Sequence, residues 1–425
     1  MATVVLVGTL DTKGAEYAWL AERITAAGCS VLLVDAGVLG DPLTRADISS
    51  REVASAAGAE LAQLRAAGDR GAALAVMARG VAAIVTCLHR QNLLHGVVGL
   101  GGSGGSAVAS AAMRALPVGV PKLLVSTMAS GDTSPYVDAL DVTMMYSVVD
   151  IAGLNSVSEL ILRNAANGIA GMAQGYEHAL NNPDPEAEAP RPVVAASMFG
   201  VTTPAVDAAR ERLTELGYEV LVFHATGSGG KSLEALAGSG LLAGVLDLTT
   251  TELADDLVGG VLSAGPQRLS AAGRAGLPQV VSLGALDMVN FGPRETVPER
   301  FAERNLYVHN ATVTLMRTTP AENRELGRRL AAKLRAATGP TALFVPLRGV
   351  SAIDTAGGPF DDRVADAALF GVLRTSLAGS TVELHEHDAH INDPEFAVAM
   401  ADRLHELITA GARSGNAALA GGPPR

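Results

Sequence analysis

Thr3 to Val7 is a short, almost unbroken apolar run, and runs of this kind recur along the chain, most of them closed by a glycine-rich or polar loop that leads into a helix. Such a run reads as a strand buried on both faces, because a strand with one wet face would alternate apolar and polar residues. The loop Gly8-Thr9-Leu10-Asp11-Thr12-Lys13-Gly14 comes next, then a helix with Tyr17, Leu20, Ala21 and Ile24 along one side, then a second strand from Cys29 to Val34. Strand, helix and strand in that order give parallel neighbours, and a parallel sheet needs helices over both faces. Apolar residues make up 48% of the chain and aromatics only 4%, which leaves Ala, Val and Leu to fill thin layers between helix and sheet.

The pattern continues. A helical region runs from about Arg51 to Leu94 with breaks near Gly68 and Gly71; strands follow at His95–Val98, Lys122–Ser126 and Val142–Tyr146, then a long helix from about Ser156 to His178. The proline-rich, polar stretch Asn181 to Pro192 can neither continue a helix nor fill a core, and so marks a linker. Strands restart at Val193–Met198, Glu219–His224, Gly244–Leu248, Gln279–Leu283, Leu306–His309, Thr341–Pro346 and Thr381–Glu386. Thr319, Pro320 and Glu322 spell a capped helix start, with Leu326, Leu330 and Leu334 as its buried stripe. The chain reads as an α/β protein of two Rossmann-like subdomains, each a mostly parallel sheet flanked by helices. They span residues 1–180 and 193–412, joined by a linker over 181–192 and followed by a disordered tail over 413–425.

The formal charge of -12, with no basic run, argues against nucleic acid as a partner. Two cysteines, Cys29 and Cys87, make no disulfide framework and fit a reducing, cytoplasmic location. The first strand starts at once, without a leader pattern, and no apolar run of membrane-spanning length escapes glycine or polar breaks, so no membrane is expected.

Chemistry-bearing residues gather where strands end. Gly99-Leu100-Gly101-Gly102-Ser103-Gly104-Gly105-Ser106 lies between a strand and the Ala-rich helix after it. Its glycines let main-chain N–H groups approach an anion, and the helix start adds partial positive charge. The run formally matches a dinucleotide fingerprint, but it is not the first strand-to-helix turn, and no acidic residue lies near position 124 to take a ribose. A phosphate cradle at Gly101, Gly102, Ser103, Gly104, Gly105 and Ser106 is the better reading. In the first loop, Gly8, Thr9 and Thr12 flank Asp11, suited to Mg²⁺ through a water, and Lys13, suited to phosphate oxygens. Ser130, Gly131, Asp132 and Thr133 form another polar loop, suited to ribose, metal or phosphate, or to a plain turn. His224-Ala225-Thr226-Gly227-Ser228-Gly229-Gly230-Lys231-Ser232 falls one residue short of a P-loop, since Ala225 stands where glycine is required; a looser anion site with Lys231 in reach remains. Asn290, Arg317 and His390 are polar groups near strand or helix ends, and Glu383-x-His385-x-His387 is the best metal candidate by composition, although its spacing matches no zinc pattern.

Six separated segments together resemble a known family. They are Gly8–Gly14, Gly101–Gly105, Ser126–Asp132, His224–Gly227, Gly284-Ala285-Leu286-Asp287-Met288-Val289-Asn290-Phe291 and His390-Ile391-Asn392-Asp393-Pro394. The chain is similar, over about Val4 to His405, to the Tm-one-like ATP-binding domain family. The resemblance implies two Rossmann-like subdomains, an ATP site with Mg²⁺, and a homodimer. In plant members a TIM-barrel domain follows, so a separate TIM-barrel protein is an expected partner here. Carried over, ATP falls on Asp11, Lys13, Gly101 to Ser106 and Ser130 to Thr133. The expectation is Mg-ATP used for phosphoryl transfer to, or activation of, a small anionic carboxylate in a cleft between subdomains, with Lys231, Asn290, Arg317 and His390 on the acceptor side. The alternative is a non-catalytic nucleotide-binding module that regulates a protein partner.

Overall fold

The computed structural model describes residues 1–182 and 191–420, with side chains as far as residue 411. The chain divides into two compact units, residues 1–187 and 188–425. In the first unit the strands are β1 (Thr3–Gly8), β2 (Ser30–Asp35), β3 (Gly96–Gly101), β4 (Lys122–Ser126) and β5 (Thr143–Tyr146). Its helices are α1 (Leu10–Ala26), α2 (Ser50–Ala56), α3 (Leu61–Ala67), α4 (Arg70–Arg90), α5 (Ser103–Arg114), α6 (Ser134–Val137) and α7 (Ser156–Asn181). The five strands are all parallel, in the order β2-β1-β3-β4-β5. The apolar run of β1 is explained by two cores: Val5 and Val7 pack on one face with Met77, Val81 and Val108, and Val4 and Leu6 on the other with Leu20, Ile24 and Ile169. Alternate residues of a strand point to opposite faces, so a strand covered on both must be apolar throughout.

The second unit repeats the plan. Its strands are β6 (Val193–Met198), β7 (Glu219–His224), β8 (Gly244–Thr249), β9 (Gln279–Gly284), β10 (Met288–Phe291), β11 (Leu306–Asn310), β12 (Val313–Arg317), β13 (Thr341–Pro346) and β14 (Glu383–His387). Its helices are α8 (Thr203–Glu215), α9 (Ser228–Ala237), α10 (Glu252–Val258), α11 (Ala271–Arg274), α12 (Pro320–Arg335), α13 (Arg363–Leu377) and α14 (Pro394–Ala420). Six strands form a parallel sheet in the order β14-β13-β9-β8-β6-β7. In both units the first strand lies between the second and the third. The strand order therefore reverses beyond β1 and β3, and again beyond β6 and β8, where ligands of open α/β sheets bind.

One expectation needs correction. Leu306–Asn310 does not join the parallel sheet; it is the edge of a separate antiparallel sheet, β10-β12-β11, whose other strands the sequence reading missed. The helix α14 runs to Ala420; residues 421–425 of the expected tail and most of the expected linker lie outside the described residues. Helix α4 is long and apolar enough to cross a membrane by length and composition, despite its glycines. Here it lays Met77, Val81 and Val85 on the sheet of the first unit.

One side chain shapes the site edge of the first unit. The ladder between β1 and β3 ends at Val7 and Gly99. Beyond it the buried Tyr17 hydroxyl accepts from Leu100 N–H at 2.9 Å and donates to Val7 O, taking the place of a further rung. A methyl group at Gly8 would fall 2.0 Å from the Tyr17 ring, so Gly8 is there to admit Tyr17 rather than an outside ligand. Tyr17→Phe should leave the Leu100 N–H buried without an acceptor and cost about 1–3 kcal/mol. Denaturant unfolding followed by the fluorescence of Trp19, the chain's sole tryptophan, reads this unit directly; an unchanged midpoint would remove the hydroxyl from the account.

Candidate functional site

At the reversal point of the first unit, α5 begins at Ser103, and its cap residue Gly102 has no side chain to satisfy the helix start. The first intrahelical bond runs from Ser106 N–H to Gly102 O. The N–H groups of Ser103, Gly104 and Gly105 have no acceptor among the described residues. They form the positive end of a twelve-residue helix. A methyl group at Gly101 would sit 2.9 Å from Gly105 Cα, so the turn closes only with glycine. Added methyls at Gly102 and Gly104 would approach Thr127 Oγ1 to 3.6 Å and an Arg70 guanidinium nitrogen to 3.8 Å. Arg70 is exposed and makes no ion pair among the described residues. Sequence reasoning missed Arg70, which lies far from the loop in the chain; only the fold brings the start of α4 beside α5. Ser106 is buried, with its hydroxyl 2.7 Å from Ser126 Oγ, and ties β4 to α5.

The other predicted groups of this unit are more engaged. Asp11 Oδ2 accepts from Leu39 N–H at 2.7 Å and Gly40 N–H at 3.3 Å, clamping the loop after β2; its Oδ1 is buried and has no donor among the described residues. Asp35, at the end of β2, accepts from Leu10 N–H and Gly37 N–H, and burial pushes its carboxyl up. Lys13 donates its ammonium to Ile151 O. Thr9 and Thr12 pair through their hydroxyls at 3.0 Å, and Gly14 packs against Leu43. In the loop after β4, Asp132 accepts from Ser134 N–H and leads into α6, which is turn chemistry; Ser130, Gly131 and Thr133 accompany it, the first two exposed.

The second unit turns its polar residues inward. Glu252, fully buried at the start of α10, accepts from Gly227 N–H at 2.7 Å, Gly230 N–H at 3.1 Å and Arg268 Nε at 2.5 Å. The anion position expected at Gly227–Lys231 is thus filled by the chain's own carboxylate. Lys231 stands exposed on α9. Arg268, fully buried, also holds Asp247 through both terminal nitrogens and lies 3.5 Å from Glu234.

Arg317 is a second hub. It donates to Phe360 O at 2.8 Å, Thr318 Oγ1 at 3.1 Å and Asp366 Oδ1 at 2.6 Å, with Asp354 at 3.7 Å. Asp287 lies in the same cluster and accepts from Ser351. Asp287 Oδ1, Asp354 Oδ1 and Asp366 Oδ2 are buried without hydrogen-bond donors among the described residues. Asn290 gives its main-chain and side-chain N–H groups to Asp255, at 3.0 and 2.7 Å. His390 is held between Ser351 O and Asn392 N–H, clasping the loops after β13 and β14. Asn290, Arg317 and His390 therefore serve separate local tasks: Arg317 has its guanidinium committed inside the core, and Asn290 its N–H groups, while the buried Asn290 Oδ1 has no donor among the described residues.

The histidines of β14 pack rather than chelate. His385 and His387 stack on Phe344, while Glu383 pairs with His385 and Arg403. Among the described residues no three His, Cys, Asp or Glu side chains converge as a metal site.

Two doubly wound parallel units in one chain, with an open cradle in the first and a self-filled edge in the second, define a two-domain α/β protein. The chain belongs to the uncharacterised protein family UPF0261: the family's N-terminal domain matches residues 2–178 and its C-terminal domain residues 191–408. It is 52% identical over 405 residues to a UPF0261 protein of Clostridium tetani, covering 95% of this chain and 98% of that one. It is 49% identical to UPF0261 protein RA0729 of Rhizobium meliloti, covering 96% and 99%. The ToMV resistance protein Tm-1(GCR237) of Solanum lycopersicum is 39% identical over 95% of this chain, which spans 55% of the tomato protein. That is the relationship the six motifs pointed to.

Burial pushes Asp255 up to about 7 and moves Asp287, Asp354 and Asp366 in the same direction. Unfolded, these groups titrate near the ordinary value of about 3.9. Between about pH 4 and 7 the native state therefore holds protons that the unfolded state has released, and its stability falls as pH rises through that window. Asp287→Asn should flatten the fall in melting temperature over this range; an unchanged slope would contradict the protonated cluster. Arg317→Ala would strand Asp287, Asp354 and Asp366 and should cost about 3–5 kcal/mol, readable by calorimetric unfolding.

Proposed function

We propose that the first unit binds the phosphates of ATP, with Mg²⁺, at the reversal point beyond β1 and β3. One observation carries this reading: among the described residues, three main-chain N–H groups at the start of α5 lack acceptors, and the Arg70 beside them has no carboxylate partner. A helix start and a guanidinium supply the donors and the positive charge that a phosphate needs. In the first unit, Asp11 Oδ1 is the one buried side-chain oxygen or nitrogen among the described residues that has no hydrogen bond. Mg²⁺ takes one or two carboxylates together with substrate phosphates, so Asp11 is the residue that would hold it. The metal would neutralise phosphate charge; Arg70, Thr127 and the α5 start would orient the phosphates.

In the fuller form of the proposal, the bound ATP serves phosphoryl transfer to, or activation of, a small anionic carboxylate, chemistry that rests on positioning and charge neutralisation. A second reading is a nucleotide-binding module that acts on a protein partner. It gains support from Arg317 and Asn290, which the core already uses. The printed name of the tomato relative, a ToMV resistance protein, fits it too. Release of ADP or AMP from Mg-ATP across a set of small carboxylates separates the two: stimulation by one compound supports transfer, and no stimulation by any supports the module.

Binding itself is tested by titration calorimetry with Mg-ATP. Gly104→Val and Arg70→Ala should each weaken affinity about tenfold or more, roughly 1.4 kcal/mol. Arg70 is exposed, and at Gly104 an added methyl meets only the end of the Leu74 side chain, at 3.3 Å, which can shift, so the fold should survive. Arg70→Lys should rescue poorly, because the planar fork is lost. Wild-type affinity in both folded variants would sink the proposal.

A further inference from the structure

The near P-loop of the second unit has no role in the reading above. Its sequence departs from a P-loop at Ala225, yet its glycines are under strict geometric demand. Gly227 has φ +87°, and a methyl group at Gly230 would fall 2.1 Å from a Glu252 carboxylate oxygen. The loop is moulded around that carboxylate. Gly227 and Gly230 both donate to Glu252 Oε1, and Arg268 donates to Oε2. Two donors from the start of a ten-residue helix and one buried guanidinium on a single carboxylate make a complete anion site. The carboxylate arrives from α10, across the sheet edge, and it is fully buried. Arg268 already faces Asp247, Glu252 and Glu234, three carboxylates against one cation, so an added anion would meet net negative charge.

We infer that Glu252 is a built-in ligand: its side chain occupies an anion-binding site formed by Gly227, Gly230 and Arg268, closes the second glycine loop to phosphate, and on removal leaves a site for a small carboxylate anion. The inference does not rest on nucleotide binding by the first unit, because its readout is stability in the presence of formate.

The experiment compares the wild type, Glu252→Ala and Glu252→Gln, each melted over a formate series against sodium chloride at matched ionic strength. Glu252→Ala should melt below the wild type and recover with formate along a saturating curve, as mass action requires. Glu252→Gln, which still fills the space, and the wild type, whose site is occupied, should show no saturating gain. If Glu252→Ala is insoluble in chloride, refolding in formate should raise its soluble yield over that in chloride. A Glu252→Ala protein whose melting and refolding respond to formate no more than to chloride would overturn the inference. So would an equal saturating gain in the wild type.

Discussion

A parallel sheet covered on both faces leaves polar groups two places to go, the strand ends or neutralised clusters inside. Both units of this chain obey that constraint. In the first, Val4 to Val7 are split between two cores, and the change from ladder to crevice falls on Tyr17, whose hydroxyl replaces the rung after Val7 and Gly99. Strand ends held apart in this way expose the start of α5 without leaving β1 and β3 unsatisfied. The phosphate reading depends on that separation.

The two units solve the same edge in opposite ways. Beyond β3 the chain places Gly102, Ser103, Gly104 and Gly105, and the N–H groups of the helix start have no acceptor among the described residues. At the end of β8 and beyond it stand Thr249, Thr250, Thr251 and Glu252, all fully buried. Thr249 pairs with Thr202, and Glu252 reaches the glycine loop after β7. Arg268 and Arg317 each gather several carboxylates in the interior. Such clusters add little net stability over apolar packing, but removing the cation strands the carboxylates, which is why Arg317 reads as a structural hub. Cradle and hubs follow from one rule: a buried or half-buried donor finds an acceptor, or it marks a place where one arrives from outside.

Much of the fold was legible because its signals are local. The strand bounds at Lys122–Ser126, Val193–Met198 and Thr341–Pro346 were read from continuous apolar runs. The start of α12 was read from Thr319 and Glu322, whose reciprocal capping bonds measure 3.2 and 2.7 Å. What was missed is long-range. The strands β10 and β12 are four and five residues long and carry Asn290 and Arg317, which in sequence look like exposed chemistry. Glu252 lies 22 residues from Gly230, and nothing in either segment announces the other. Arg70 sits in an unremarkable helix start, and only the packing of α4 on α5 brings it to the glycine loop. Asp11 stands out in the sequence as a carboxylate at a strand end but not as a clamp on the loop after β2, because its partners are main-chain N–H groups with no sequence signature.

Amide hydrogen exchange with and without Mg-ATP tests the central claim most directly, because it reads the proposed donors themselves. The account predicts slowed exchange in peptides covering Ser103 to Ser106. It predicts no change at Gly227 to Lys231, where Glu252 already holds the Gly227 and Gly230 amides. Protection at Gly227 to Lys231 with none at Ser103 to Ser106 would show that the open and closed edges have been assigned the wrong way round.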